Sequence, residues 1–523
     1  MSTEDLTGEL FEALYGGDDD AVVRALRAGA PAEAVDDDGQ TALYAAAAQN
    51  RTGMVRLLLA AGADPDRASG PEGDELPLCG AAVWGRTEVM RALLAAGARP
   101  DLEEAPGLRA LTWACSHGRT EVVDLLLASG ADPDLPGPGG EPPLVTAARR
   151  GSPSCVRALL RHGARPTEDA LAEARRWLGR DVEAELRREL AETYGEGHET
   201  VSRWVDEDGG TTVVVELIRD GDHVSGAEQQ TGHAAVATLL EAALGVRTPP
   251  EELAERALRC ANPDQDDWTE AVGVLQRRGD EETFRAAAAW CGTEDPLRQT
   301  FAADVLAGLG DPDGADGPGP SADRPDGSGA AGIGPGTGGR AGLSARAVPL
   351  LRELAREATD PEVIRAAVAA LGQQGDPAGV EEILRHAEHE DPEVRFGVAV
   401  ALHGLVPGNH ADGIGVVVGL TRDGDEGVRD WSTTALADAE ADSPEVREAL
   451  AARLTDEVPD IAAEAARGLA MRHDDRAVEA LTRILEDEDP EGYAYSTAEQ
   501  AVEYVEDEHA RRRLETTSPR RTR

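Results

Sequence analysis

The stretch LTWACSHGRTEVVDLLLASGADP, residues 111–133, decides the fold of the first third of the chain. Its pattern predicts two short helices, at residues 111–117 and 121–129, separated by Gly118. Gly130 ends the second helix as a C-cap, and an Asp-Pro pair then turns the chain away. The second helix carries an apolar stripe that is wider than one short helix can bury. The stretch therefore predicts neighbouring copies of itself.

Copies of this pattern recur along the first third of the chain. Gly-Ala pairs are spaced by 33, 35, 33 and 33 residues, beginning at Gly29, Gly62, Gly97, Gly130 and Gly163. This period, the paired helices and the Gly-Ala-Asp-Pro exit resemble the ankyrin repeat. The resemblance implies an array of about five repeats over residues 1–166. It also implies that partners bind the concave side, formed by the first helix of each repeat and the turn tips.

The residues expected on that concave side include two tryptophans and two arginines. Trp and Arg are the residue types that most often anchor protein interfaces, and aromatic residues make up only 3% of the chain. We expect Trp84 and Trp113 to lie at equivalent ends of neighbouring repeats. The alternative is that both indoles pack against neighbouring repeats. The candidate partner-binding residues are Gln49, Trp84, Trp113, His117, Arg149 and Arg150.

Residues 167–247 form a bridging segment with a different pattern. The part 167–190 carries Arg and Glu between apolar residues at helical spacing, which predicts one or two polar helices. β-Branched runs at 200–205 and 211–218 flank an acidic loop that ends in Gly-Gly, and they predict one β-hairpin. Residues 231–244 resemble an isolated second half of an ankyrin repeat, so we expect them to act as a cap or adaptor.

Residues 248–510 show a second repeated pattern, in which helices open with Asp as N-cap and Pro at the first position. Such starts occur at Asp295, Asp360 and Asp391, with related starts at Asp425 and near Pro459. The run Asp-Pro-Glu-Val-Arg at 391–395 resembles HEAT repeats, and is closest to the short HEAT-like variety first associated with phycobilin lyases. Arg365, Arg395 and Arg429 recur at one position, which the resemblance assigns to an internal ladder with the capping Asp.

Two further segments are expected to lack packed structure. Residues 310–343 are rich in Gly, Pro, Ser, Asp and Ala, which predicts a disordered loop inside one HEAT-like repeat. A last helix is expected at about 497–514, followed by a basic tail assigned to 511–523. The predicted fold is thus all-α: an ankyrin solenoid and a HEAT-like solenoid, joined by a helical segment with one β-hairpin.

Composition excludes several classes of function. The 523 residues include 100 Asp and Glu against 51 Lys and Arg, for a formal net charge of −49. Such an acidic field opposes binding to nucleic acid or to anionic membranes. The sequence contains no lysine at all, a bias typical of GC-rich bacterial genomes, so Walker A, kinase and pyridoxal-phosphate chemistry are excluded. Five widely spaced cysteines and an acidic start predict a cytoplasmic, reduced protein.

No catalytic or metal-binding motif stands out, and no cofactor is expected. The histidines of the bridging segment lack ligand spacing, and carboxylates alone do not identify an acid–base pair. We therefore expect a non-enzymatic, monomeric scaffold or adaptor that binds a partner protein. The alternative is a HEAT-like-repeat enzyme or enzyme-maturation factor of the lyase type, acting on a protein-bound group. A deep pocket with convergent polar groups would favour the alternative.

Overall fold

The computed structural model describes residues 3–104, 108–195, 199–207, 210–219, 222–309, 340–406, 408 and 410–517. These residues divide between two compact units, Met1–Ala271 and Val272–Arg523. Over the described residues the chain is mostly helical, with one three-stranded antiparallel sheet. The predicted fold class is thereby confirmed. The finer domain boundaries, after residues 166, 247 and 510, stay predictions.

The first unit contains fourteen complete α-helices, one short 3-10 helix (Pro138–Gly140) and the sheet, counted over the described residues. The helices are α1 (Thr3–Gly16), α2 (Asp19–Ala28), α3 (Ala42–Ala48), α4 (Thr52–Ala60), α5 (Pro77–Val83), α6 (Thr87–Ala95), α7 (Ala110–Ser116), α8 (Thr120–Ala128), α9 (Pro143–Arg150), α10 (Pro153–Arg161), α11 (Glu168–Trp177), α12 (Val182–Tyr194), α13 (His233–Ala243) and α14 (Pro250–Cys260). The strands are β1 (Glu199–Glu207), β2 (Gly210–Arg219) and β3 (Asp222–Gln230).

The helices α1–α10 form five antiparallel pairs, in which first helices stack on first helices and second helices on second helices. The two helices predicted within residues 111–133 are α7 and α8. Each pair turns at one residue with positive φ: Gly17, Asn50, Gly85, Gly118 or Gly151. Glycine suits these tight turns because it adopts positive φ without steric cost. The pairs bury a continuous core of Ala, Leu and Val.

A sixth helix pair is split by an insertion. α11 stacks on the first helix α9, and α13 packs against α11 and the second helix α10. Leu171 of α11 and Leu240 of α13 belong to the same buried core as the five preceding pairs. The expected cap at residues 231–244 is therefore the second helix of this pair. Between its two halves the chain inserts α12 and the sheet.

The inserted sheet has the strand order β1–β2–β3, so the predicted hairpin is two-thirds of a larger element. Val213 and Leu217 of β2 pack with Leu186 and Leu190 of α12 and form a small core of their own. β3 was missed because its sequence, DHVSGAEQQ, has no β-branched run. Its strand conformation depends on pairing with β2, and no local sequence pattern predicts that pairing.

The second unit is a run of helix pairs. α15 (Asp266–Arg278) contains the division between the units and is followed by α16 (Glu281–Cys291), α17 (Pro296–Ala307), α18 (Arg340–Glu357), α19 (Pro361–Gln374), α20 (Val380–Leu384), α21 (Pro392–Leu402), α22 (Ala411–Leu420), α23 (Glu426–Asp438), α24 (Pro444–Arg453), α25 (Pro459–Met471), α26 (Ala477–Asp487), α27 (Tyr493–Ala501) and α28 (Glu508–Glu515). The first helices α17, α19, α21, α23, α25 and α27 pack in sequence as one layer.

The Asp-Pro pattern predicts these helix starts correctly because it acts locally. The carboxylates of Asp295, Asp360, Asp391 and Asp425 each accept a backbone N–H in the first turn of the helix that follows. This is the N-cap hydrogen bond, which satisfies donors that have no partner within the helix. α25 begins at Pro459, as expected, although Val458 supplies no side-chain cap.

Two predicted boundaries change. α18 begins at Arg340, so residues 340–343 are helical rather than part of a loop; residues 310–339 lie outside the described residues. The last predicted helix is two helices, because α27 ends at Ala501 and α28 begins at Glu508. The start of the predicted tail, 511–513, belongs to α28, and residues 518–523 lie outside the described part. No described helix is long and apolar enough to cross a membrane.

Candidate partner-binding surface

The candidate residues fall at repeated positions of the first-helix layer. Gln49, Trp84 and His117 each follow directly after the last residue of a first helix, as the C-cap of α3, α5 and α7. Arg150 has the same offset from the start of its helix and is the last residue of α9. One column of the array therefore holds four of the six predicted residues.

Trp84 is the most exposed tryptophan of the described chain, with 60% of its surface accessible. As the C-cap of α5 it lies at the turn into α6, beside Gly85. The alternative expectation, that this indole packs against a neighbouring repeat, is wrong for Trp84. An exposed indole at this position is available to bury a large area against a partner.

Trp113 differs from Trp84 because it lies one helical turn before the C-cap position of its helix. It is the fourth residue of α7, where α5 has Gly80, so the expected equivalence of Trp84 and Trp113 is wrong. Its indole Nε1 donates a hydrogen bond of 2.7 Å to Glu104 Oε1, and its ring is partly buried against the array core. The His117 ring is tilted against it, at 5.8 Å between centroids. Trp113 and His117 therefore form one half-buried cluster.

The two arginines are neutralised within the chain. Arg149 donates to both oxygens of Glu141, at 2.9 and 2.8 Å, and lies 3.5 Å from Glu173. This bidentate hydrogen bonding lowers the pKa of Glu141. Arg150 is only 7% exposed and donates to the backbone oxygen and the carboxylate of Glu228, at 2.7 and 2.8 Å. Contrary to expectation, Arg150 does not lie on an open face.

The inserted sheet covers Arg150 through its third strand. Gln229 Nε2 donates to the backbone oxygen of Arg149, at 2.5 Å, and the His233 ring lies 3.2 Å from the same oxygen. A Cβ at Gly151 would lie 2.4 Å from the His233 ring, so only glycine permits this approach. Burial lowers the pKa of His233 to about 4, so the ring is neutral at pH 7. Trp177 stacks on it at 4.9 Å.

A groove of about 390 Å³ lies between the exposed Trp84 and the sheet. Its floor is made by the turns of three successive repeats, at Gly85, Gly118 and Gly151. Asp206 and Gln230, from the ends of β1 and β3, form the opposite wall. The sequence analysis did not predict this wall, because Asp206 and Gln230 reach the array only through the packing of the inserted sheet.

Three further arginines, which the sequence analysis did not predict as binding residues, lie on this surface; Arg51 is exposed, and Arg86 and Arg119 are half-buried. Arg51, Arg86 and Arg119 each precede a second helix, as the N-cap of α4, α6 and α8. None of them makes an ion pair with a residue that the structure describes. Arg119 lines the groove, and its stem covers the turn below Trp84, because a Cβ at Gly85 would lie 3.2 Å from Arg119 Cδ. The motif Gly-Arg-Thr-Glu-Val, at 85–89 and 118–122, was the available signal for Arg86 and Arg119.

Arginines of the second unit show the opposite arrangement. Arg395 is paired with Asp423 at 2.7 Å, and Arg429 with Asp456 at 3.4 Å. The predicted ladder is present for these two, but its carboxylates come from the loop before the following first helix rather than from the helix's own N-cap. Arg365 instead pairs with Glu362 in its own helix.

A polar cluster lies on the first-helix layer of the second unit. His403 Nε2 and Asp438 Oδ2 are 2.9 Å apart, and Arg467 lies 2.7 Å from the other oxygen of Asp438. Burial favours the neutral acid, but the hydrogen bonds from His403 and Arg467 lower the pKa of Asp438 to about 2. The rings of Trp431 and His403 lie 6.2 Å apart between centroids, at 73° to each other.

Thiol and metal chemistry have little support among the described residues. All five cysteines are unpaired, and burial raises the pKa of every one, that of Cys291 to about 12. Thiolates would be the reactive form, so these thiols are poor nucleophiles at pH 7. Within the described ranges, no three His, Cys, Asp or Glu side chains are grouped as a metal site.

The geometry defines the class of protein as a helical-repeat protein with two arrays. A family model of ankyrin repeats in three copies matches residues 10–104 and 78–170. A family model of HEAT repeats matches residues 348–437 and 414–503. The chain thus carries ankyrin repeats in its first third and HEAT repeats in its second half. No curated protein matches the chain.

Proposed function

We propose that the chain is a non-enzymatic scaffold that binds a partner protein at the Trp84 groove of its ankyrin array. The observation that carries the proposal is the exposure of Trp84 at the rim of a groove of about 390 Å³. Ankyrin and HEAT repeats support a role in protein interaction in general. The indole supplies apolar area, and the flanking arginines supply donors to carboxylates or backbone carbonyls.

The proposed surface consists of Gln49, Trp84 and His117, with Arg86 and Arg119 beside them. Trp113 supports it from below through its contact with His117, and Arg149 lies at its far end. Arg150 is left out because Glu228 and β3 cover it. A partner that fits places an apolar side chain on Trp84 and an acidic or carbonyl group near Arg119.

The rest of the proposal follows from charge and cysteine chemistry. A net charge of −49 makes nucleic acid and anionic membranes unfavourable partners and favours a monomer. Unpaired cysteines are normal in a reducing compartment, so we place the protein in the cytoplasm.

The test is a capture experiment with two aromatic variants. The full chain, Trp84→Ala and Tyr194→Ala are immobilised, and proteins retained from a bacterial lysate are quantified by mass spectrometry. Tyr194 ends α12 and is 44% exposed, so it controls for the loss of an exposed aromatic ring. We expect at least one protein to be lost with Trp84→Ala and kept with Tyr194→Ala.

A titration with that purified partner then measures the effect. Losing an anchor typically costs about 2 kcal/mol, so Trp84→Ala should weaken binding roughly thirtyfold. The melting temperature should stay unchanged, since the side chain is mostly exposed. Equal capture by all three proteins, or a clear drop in melting temperature, contradicts the proposal.

A second candidate, a lyase-type enzyme or maturation factor acting on a protein-bound group, is favoured by one observation. The His403–Asp438 pair beside Trp431 is accessible and has the groups needed for proton transfer. The test is an intact-mass measurement on captured partners incubated with the chain. A mass change that His403→Gln abolishes, with binding retained, would support this candidate over a pure scaffold.

A further inference from the structure

Among the residues that the structure describes, the inserted sheet has one open edge. β1 pairs there with β2 alone, and the pairing is regular over all nine residues, from Glu199↔Ile218 to Glu207↔Gly210. In an antiparallel pair, the N–H and C=O of alternate residues point away from the neighbouring strand. About half of the β1 residues thus offer both groups outward. The opposite edge, β3, is irregular at Leu217/Ile218 and is tied to the array through Glu228 and Gln229.

The open edge also carries exposed apolar side chains on both faces of the sheet. Trp204 is 58% exposed and lies opposite Val213, on the face that α12 covers. Val201 is 46% exposed and lies opposite Glu216, on the other face. β1 contains no Pro and no bulge, two of the usual means of protecting an edge strand, and its charged residues are Glu199, Arg203, Asp206 and Glu207. The edge is therefore a template for another strand.

The charges along β1 indicate which kind of strand can pair with its open edge. Glu199 and Asp206 are exposed at the two ends of β1, whereas Arg203 in its middle lies 3.8 Å from Glu216, which compensates it. A second copy would bring like charges together at these ends, in a protein whose net charge is already −49. A strand with cations at its ends and apolar residues between them has the complementary pattern.

We propose that the β1 edge binds an extended, basic segment of a partner protein by adding a fourth strand to the sheet. Main-chain hydrogen bonds to β1 supply most of the affinity, and alternate side chains supply the specificity. Apolar side chains of the segment contact Trp204 on one face and Val201 on the other. Its cations lie near Glu199 and Asp206. This surface shares Asp206 with the wall of the Trp84 groove but does not include Trp84 itself.

The test uses defined peptides and the full chain. The probes are fluorescent nine-residue peptides with Arg at both ends and Thr between them, except at one position on each face, and these two positions vary over Val, Ile, Leu, Phe and Tyr. Two controls keep the best sequence: one has Glu in place of Arg, and one is N-methylated at alternate amides. Binding is measured by anisotropy, and hydrogen–deuterium exchange reports protection of residues 199–207.

We expect an Arg-ended peptide to bind and to slow exchange in β1. Both control peptides should bind at least about tenfold more weakly. Trp204→Ala should weaken binding about fivefold or more, whereas Trp84→Ala, which removes an equally exposed indole, should change nothing. Val201→Thr keeps a β-branched residue in the strand and should weaken binding less. It keeps the proposal testable if Trp204→Ala does not fold.

Three outcomes would overturn the proposal. One is that no Arg-ended peptide of the set binds. Another is that binding is unaffected both by the variants Trp204→Ala and Val201→Thr and by N-methylation. The third is sedimentation of the full chain as a dimer that Trp204→Ala dissociates, because a second copy would then occupy the edge. Loss of binding with Trp84→Ala alone would assign the peptides to the ankyrin groove.

Discussion

Both arrays place arginine at a repeated position, yet the two rows have opposite environments. In the ankyrin array Arg51, Arg86 and Arg119 make no ion pair with a described residue. In the second unit the side chains of Arg395 and Arg429 are 18% and 10% exposed and face carboxylates from the next repeat. A repeated arginine becomes a structural ladder only where the following repeat supplies a carboxylate. Where it supplies none, the cation stays available for binding.

The largest expected effect comes from breaking the ladder. Asp456 is 5% exposed and receives both Arg429, at 3.4 Å, and Arg453, at 3.1 Å. Asp456→Ala leaves two largely buried guanidinium groups without this carboxylate, which should lower the free energy of unfolding of the second unit by about 3 kcal/mol or more. The loss is measured by chemical denaturation, with amide hydrogen exchange in α23 and α25 as the readout. Unchanged protection there would show that the ladder contributes nothing.

A smaller effect is expected in the pH dependence of folding stability, which differs between the two units. In the first unit His233 has its pKa lowered to about 4 by burial, and burial raises the pKa of Asp267 to about 6. The folded state disfavours charged His233, so its contribution to stability is lost as pH falls from 6.5 towards 4. The folded state also disfavours ionised Asp267, so stability is gained as pH falls from 6 towards 4. In the native chain these two trends oppose each other.

Asp267→Asn removes one trend and exposes the other. Between pH 6.5 and 5 the variant should lose about 2 kcal/mol of unfolding free energy through His233, while the native chain changes less. Exchange protection of the α13 amides, corrected for the intrinsic effect of pH, is the measurement. In the second unit the paired Asp438 and Asp474 have pKa values lowered to about 2, so they remain ionised over this range. Identical pH dependence in both proteins would contradict the assignment.

The smallest expected effect concerns Arg119, one of the arginines of the ankyrin array that make no ion pair with a described residue. Arg119→Ala should leave the melting temperature nearly unchanged but weaken binding of a Trp84-dependent partner about tenfold, which is about 1.4 kcal/mol. Arg51→Ala is the matched control, because it removes an equivalent arginine two repeats away and outside the groove. Calorimetry with both variants provides the comparison. A clear drop in melting temperature with Arg119→Ala would mean that this arginine is structural too.

Much of the fold could be predicted because its determinants are local. The 33-residue spacing, the turn glycines and the Asp-Pro starts each act within one or two turns of chain, and the structure confirms them. The candidate site was predicted less well. Trp84 is exposed as expected, but the arginines beside it that make no ion pair with a described residue are Arg86 and Arg119 rather than Arg149 and Arg150, because ion pairing depends on residues up to about eighty positions away.

The sequence by itself therefore determined the class of the fold and the identity of its repeats, since helix pairing and capping follow short-range periodicity. Only the tertiary structure decided that the sixth helix pair is split, that β3 completes a sheet, and that this sheet covers Arg150 and forms a wall of the Trp84 groove. Glu228 and Arg150 are 78 residues apart, and their contact depends on where an entire insertion packs. Burial and charge pairing of this kind are properties of the assembled chain, which no local pattern encodes.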